Sequence, residues 1–207
     1  MNIEELKQRA ASGDAEAQYK LGECYYNGDD IKQDDEAAVL WFKESAGQGY
    51  TPAYKVLEDC YMFGYGVEQD YEEAVKWWRL AAEQGLVEAQ HNLGYAYNCG
   101  EGVEQNFEEA VKWYRLAAEQ GLVEAQHNLG CAYANGDGVE QNYEEAVKWW
   151  RLAAEQGCAG AQYYLGCAYG NGDGVEQNYE ETVKWYKLAA EQGDEDAKEA
   201  LKRLQNE

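Results

Sequence analysis

The stretch from Val87 to Leu122, VEAQHNLGYAYNCGEGVEQNFEEAVKWYRLAAEQGL, returns almost unchanged from Val123 to Cys158 as VEAQHNLGCAYANGDGVEQNYEEAVKWWRLAAEQGC. The two align without a gap at a period of 36 residues. Stepping by that period in both directions gives five repeats, 15–50, 51–86, 87–122, 123–158 and 159–194. Copies in register must share one local structure. A copy this short cannot bury its apolar face alone, so the copies have to stack. The first is the most divergent, and the second departs mainly in its first half.

Each repeat reads as two helices. In the third repeat, Ala89, Leu93, Ala96 and Tyr97 share one face of a helix running from about Val87 to Asn98. Gly94 interrupts it, at a cost of roughly 1 kcal/mol against alanine. The same register holds Gly22, Gly130 and Gly166, with Glu58 in the second repeat, which points to close helix packing. A turn with Gly100 and Gly102 follows, with Val103 expected to plug it. Asp34, Asp70, Asn106, Asn142 and Asn178 are N-caps for the second helix. Glu73, Glu109, Glu145 and Glu181, three residues on, are placed to reach back in a capping box. Ala110, Trp113, Tyr114, Ala117 and Ala118 form the expected buried stripe, and Gly121 ends the helix. Residues 1–14 match the second half of a repeat and 195–207 the first half, so the chain reads as one repeat domain, 1–207, with a capping helix at each end.

Composition narrows the partners. The chain has 40 acidic and 17 basic side chains and a formal net charge of −23. That excess repels nucleic-acid phosphates and anionic lipid surfaces. Disorder is excluded, because seven Trp, 18 Tyr and three Phe supply a core. No segment is long and apolar enough to span a membrane. Met1–Asp14 lacks the apolar centre of a signal peptide. A cytoplasmic location is expected, or a periplasmic or secreted one if a leader has been removed.

The recurring Ala89, Leu93, Gly94, Tyr97, Gly102, Val103, Ala110, Trp113, Ala117, Ala118 and Gly121 resemble the Sel-1-like repeat family, a 36-residue relative of the tetratricopeptide repeat. The resemblance covers about residues 3–204; Glu58, Asp30, Ile31 and Thr182 depart from it. It implies an all-α solenoid, a right-handed superhelix whose first helices line a concave groove. It also implies a scaffold or adaptor in protein–protein contacts, often bacterial, including partners of secreted effectors.

On that analogy, the first-helix residues not used in packing face the groove. From the first repeat these are Tyr19, Glu23 and Tyr26; from the second, Lys55, Asp59 and Met62. The third gives Glu88, His91, Tyr95 and Asn98, the fourth His127 and Asn135, and the fifth Tyr163. Mixed tyrosine, amide and acid suits a protein or peptide with basic or amide groups. Drift is favoured over specialisation as the origin of the divergent first two repeats.

Other chemistry finds less support. His91 and His127 share a register, but duplication explains the pair and no third ligand is evident, so no metal is expected. Asn135, Asp137, Gly138 and Glu144 match part of a calcium loop whose first position, Tyr133, should be an acid; Tyr133 and Tyr169 read instead as core. Of six cysteines, Cys24 and Cys60 read as small buried residues and Cys99 as the exposed thiol. The disulfide across each helix pair known in one branch of the family lacks its second-helix cysteine here. No catalytic motif or cofactor site is present, so an enzyme is not expected. The reading is a protein-binding scaffold, in its specific form an immunity-type or effector partner, with a monomer favoured. The alternative is a recently amplified or idealised array without an evolved ligand.

Overall fold

A computed structural model describes residues 2–204, which form helices joined by short turns, with no strand among the described residues. The expected terminal helices extend over Met1 and residues 205–207, which lie outside the described residues. The chain divides into two compact units, Met1–Gln105 and Asn106–Glu207. The first carries α1 (Ile3–Ala11), α2 (Ala15–Asn27), α3 (Asp35–Gly47), α4 (Thr51–Phe63), α5 (Tyr71–Glu83) and α6 (Val87–Cys99). The second carries α7 (Phe107–Glu119), α8 (Val123–Asn135), α9 (Tyr143–Glu155), α10 (Ala159–Asn171), α11 (Tyr179–Glu191) and α12 (Glu195–Leu204).

The even-numbered helices from α2 to α10 are the first helices of the five repeats. Each buries one leucine (Leu21, Leu57, Leu93, Leu129 or Leu165), and each such burial contributes about 2 kcal/mol. Each ends on a glycine in the left-handed region, such as Gly136 at φ 80°, whose N–H donates to Ala132 O. The odd-numbered helices from α3 to α11 start at the five expected N-caps; in α9, Asn142 Oδ1 accepts from Glu145 N at 3.0 Å.

The reciprocal arm of the capping box is not made. The cap's own N–H is already used: Asn142 N donates to Tyr133 O and Asn178 N to Tyr169 O, both at 2.9 Å. These bonds fasten each turn to the helix before it. The glutamate pairs outward instead, with Lys148 for Glu145 (2.5 Å) and Lys184 for Glu181 (2.9 Å). The buried stripe also shifts. Val111 joins Ala110, Tyr114, Ala117 and Ala118, while Trp113 is only half-buried at its flank. Cys60 is buried as expected, Cys24 only partly, and Cys99 is exposed.

Three contacts recur where one repeat meets the next. Buried Gln126 and Gln162 donate to Ala118 O and Ala154 O of the preceding repeat, at 3.2 and 3.1 Å. Each also accepts from the glutamine that closes its own second helix, Gln156 or Gln192, at 2.8 Å. Arg115 and Arg151 reach forward to the hydroxyls of Tyr133 and Tyr169, at 2.6 and 2.8 Å. Those tyrosines are half-buried rather than core, because they serve this joint. Finally, Gly138 and Gly174 rest on the starts of α7 and α9, so closely that a Cβ would strike the backbone of Phe107 or Tyr143.

The mid-helix glycines have a separate task. A Cβ on Gly22 or Gly166 would lie 2.6 Å from the ring of Phe42 or Tyr186, carried by the partner helix. In α4 that register is Glu58, half-buried. Burial first, and the charge of Asp59 second, push its carboxyl up to about 7, against the pull of Lys55.

Candidate functional site

The largest concentration of uncovered aromatic surface lies in the first compact unit. Tyr26 is 39% exposed, Phe63 60%, Tyr65 45% and Tyr95 48%. Tyr26 lies in the last turn of α2, one residue before its end at Asn27, and Phe63 is the last residue of α4; both helices stop on a left-handed glycine, Gly28 or Gly64. Tyr65 follows in the turn. Its ring centroid is 6.4 Å from that of Tyr26, edge to face, and 5.7 Å from that of Phe63.

These rings border a cavity of about 480 Å³ between α2 and α4. Tyr19, Glu23 and Asp59 line it too, and Cys60 and Phe42 lie deeper. Tyr19 packs against Phe42 and Tyr50, with centroids at 5.5 and 5.4 Å. Burial, and then the neighbouring Glu23 carboxylate, push its phenol up to about 12. Burial likewise raises the Asp59 carboxyl, with Lys55 opposing. A second cavity, of about 270 Å³, adjoins at Asp59 and Phe63 and is lined further by Glu58, Met62, Trp78 and Tyr95.

The expected groove residues therefore separate. Tyr19, Glu23, Tyr26 and Asp59 line the first cavity, and Asp59, Met62 and Tyr95 the second. Lys55 and Glu88 are exposed and line neither, while His91 and Asn98 are half-buried. In the second compact unit, His127 is packed rather than presented. Its ring lies 5.8 Å from that of Tyr164, Gly160 leaves the space it fills, and burial lowers its pKa. Asn135 is exposed and donates to Asp137 at 3.1 Å. Tyr163 stacks on Tyr186 at 5.7 Å, beside α12.

Sequence reading missed Tyr65 as a site residue. Its register holds Asp29, Glu101, Asp137 and Asp173 in the other repeats, so an aromatic among acids was the available signal. It also missed the buried glutamines, whose recurrence in four repeats was equally visible.

A family model described as Sel1 repeat matches residues 15–50, 59–86, 87–122, 123–158 and 159–194. In the second repeat the match begins at residue 59, just after Glu58. Among solved structures, a protective antigen of uropathogenic Escherichia coli strains displaying an SLR fold is similar, with 47% identity and a TM-score of 0.82 over 95% of this chain and 42% of that one. A Sel1 repeat protein from Oxalobacter formigenes matches with 33% identity and a TM-score of 0.83, over 96% of this chain and 82% of that one. Both bear out the all-α solenoid fold. A secretory immunoglobulin A-binding protein of Escherichia coli, EsiB, is 48% identical over 45 residues, 22% of this chain and only 9% of the relative's length.

Proposed function

Because this chain belongs to the Sel1 repeat family, a family of non-enzymatic scaffolds for protein–protein interaction, we propose that it binds a protein or peptide partner on the aromatic and acidic face of α2, α4 and α6. One observation carries this reading. Four large aromatic side chains, Tyr26, Phe63, Tyr65 and Tyr95, stay uncovered together over two adjoining cavities. Clustered exposed aromatics are the usual anchor of a binding surface, and tyrosine contributes contact area at low entropic cost. Carboxylates at the rim favour a partner with basic or amide groups. A relative named for binding secretory immunoglobulin A supports a protein ligand as the type of partner; the short match carries over no particular one. An effector seated on this face, in the manner of an immunity or adaptor protein, is the specific form of the proposal.

The test is capture of partners from the source organism on the immobilised chain, alongside a Tyr26→Ala/Phe63→Ala/Tyr95→Ala variant. These three residues are exposed, whereas Tyr19 is packed and its loss would disturb the core. A partner that is held at low salt, weakened at high salt and lost by the variant supports the proposal. A partner retained by the variant moves the site elsewhere. Nothing captured in either case favours an array without a ligand.

A further inference from the structure

We propose that the cavity between α2 and α4 is a seat for a single arginine side chain of the partner, its guanidinium held among Tyr26, Phe63 and Tyr65 and bonded by Glu23 and Asp59. This rests on the reading of that face as a protein-binding surface, and it names the chemistry that surface selects.

Glu23 and Asp59 occupy one register of adjacent first helices, one repeat apart, so both carboxylates border the same cavity. No cationic side chain lines it. Lys55, a helical turn before Asp59, is the basic group close enough to act on that carboxyl, and it is exposed and outside the cavity lining. The volume, about 480 Å³, is of the size that holds a small ligand or one long side chain. The combination is found only here in the chain. The register of Glu23 and Asp59 passes to Tyr95, Cys131 and Cys167 in later repeats, and that of Phe63 to Cys99, Asn135 and Asn171.

Guanidinium fits better than the other cations. It is planar and weakly hydrated, stacks on aromatic rings, and donates two parallel hydrogen bonds to a carboxylate. An ammonium on a flexible stem is more strongly hydrated, and a quaternary ammonium cannot donate to Glu23 or Asp59. The chain already pairs these groups internally: Arg79 lies 5.7 Å from the Tyr97 ring centroid and Arg115 5.6 Å from that of Tyr133. The same chemistry with the cation removed is what the cavity presents.

The experiment is titration of the intact chain with N-acetyl-arginine amide, followed by amide and tyrosine NMR signals. The matching lysine and norleucine amides and tetramethylammonium serve as separate arms. The expected result is saturable shifts confined to residues 19–27 and 56–65, with an arginine Kd on the order of millimolar, as for a ligand this small. Binding of lysine, norleucine and tetramethylammonium should each be weaker by about tenfold or more. Glu23→Gln/Asp59→Asn and, separately, Phe63→Ala should each weaken arginine binding by about tenfold while thermal melting shows the fold intact. Shifts that fail to saturate, equal response to norleucine or tetramethylammonium, or unchanged arginine binding in the double variant would each overturn the proposal. If arginine fails in this way while a captured partner is still lost in Tyr95→Ala, the arginine seat is refuted and the protein-binding reading stands.

Discussion

A glycine within a helix lowers its intrinsic stability by about 1 kcal/mol relative to alanine, yet at Gly130 a Cβ would lie 2.5 Å from Cδ1 of buried Trp150. Overpacking a well-filled core costs about 1–3 kcal/mol, more than the propensity gain. Gly130→Ala should therefore lower stability by about 1 kcal/mol net, seen as a lower urea midpoint with an unchanged m-value. Glu58 shows the opposite case, a bulky acid where its counterparts are glycine. Its folded pKa is about 7 against an ordinary 4.5, so the native state holds the extra proton between those values. Stability from this group is fullest below pH 4.5 and declines as pH rises towards 7. The full difference corresponds to at most ~3 kcal/mol, and solvent contact at a half-buried side chain reduces it. Glu58→Gln should flatten that part of the pH–stability curve, measured by urea unfolding of both proteins from pH 4.5 to 8. Identical slopes would show that Glu58 is ionised freely in the folded chain. The register was legible in the sequence as a departure; its consequence was not, because it depends first on the burial that three-dimensional packing imposes on Glu58, beside Trp78.

At the scale of elements, helix starts and stops were readable because their signals are local. Asn142 caps α9 through a bond to a residue three positions on, and Gly136 ends α8 through its own backbone angle. The role of Glu145 was misread because the competitor for the Asn142 N–H is Tyr133 O, nine residues upstream on another helix. This division gives a paired prediction. Asn142→Ala removes a used cap and should cost about 1 kcal/mol. Glu145→Gln removes only an exposed pair with Lys148 and a dipole contact, and should cost about 0.5 kcal/mol or less. Amide hydrogen exchange across the first turn of α9 would separate them: a comparable loss of protection in both variants would restore the capping-box arm. The candidate site was legible to the same extent. Tyr26, Glu23 and Asp59 followed from the groove that the family resemblance implies, read onto the first helices, whereas Tyr65 sits in a turn outside any periodic pattern.

For the whole molecule, charge balance dominates. With 40 acidic and 17 basic side chains, the folded state concentrates a net −23 that the unfolded chain spreads out. Salt weakens the exposed lysine–glutamate pairs, each worth about 0.5 kcal/mol or less, but it also screens the larger mutual repulsion. Raising NaCl from about 20 to about 300 mM should therefore raise the melting temperature. A fall would mean that the surface pairs matter more than the net charge. The joints between repeats have a different bearing. The bonds from Gln162 to Ala154 O and from Arg151 to Tyr169, with Gly174 against Tyr143, repeat those of Gln126, Arg115 and Gly138 one period earlier. A further copy of residues 123–158 spliced in after Cys158 would meet its complement on both sides without any new interlocking surface having to arise. Gene duplication can thus lengthen such a chain in whole steps, leaving the exposed residues of the early repeats free to change at their own pace.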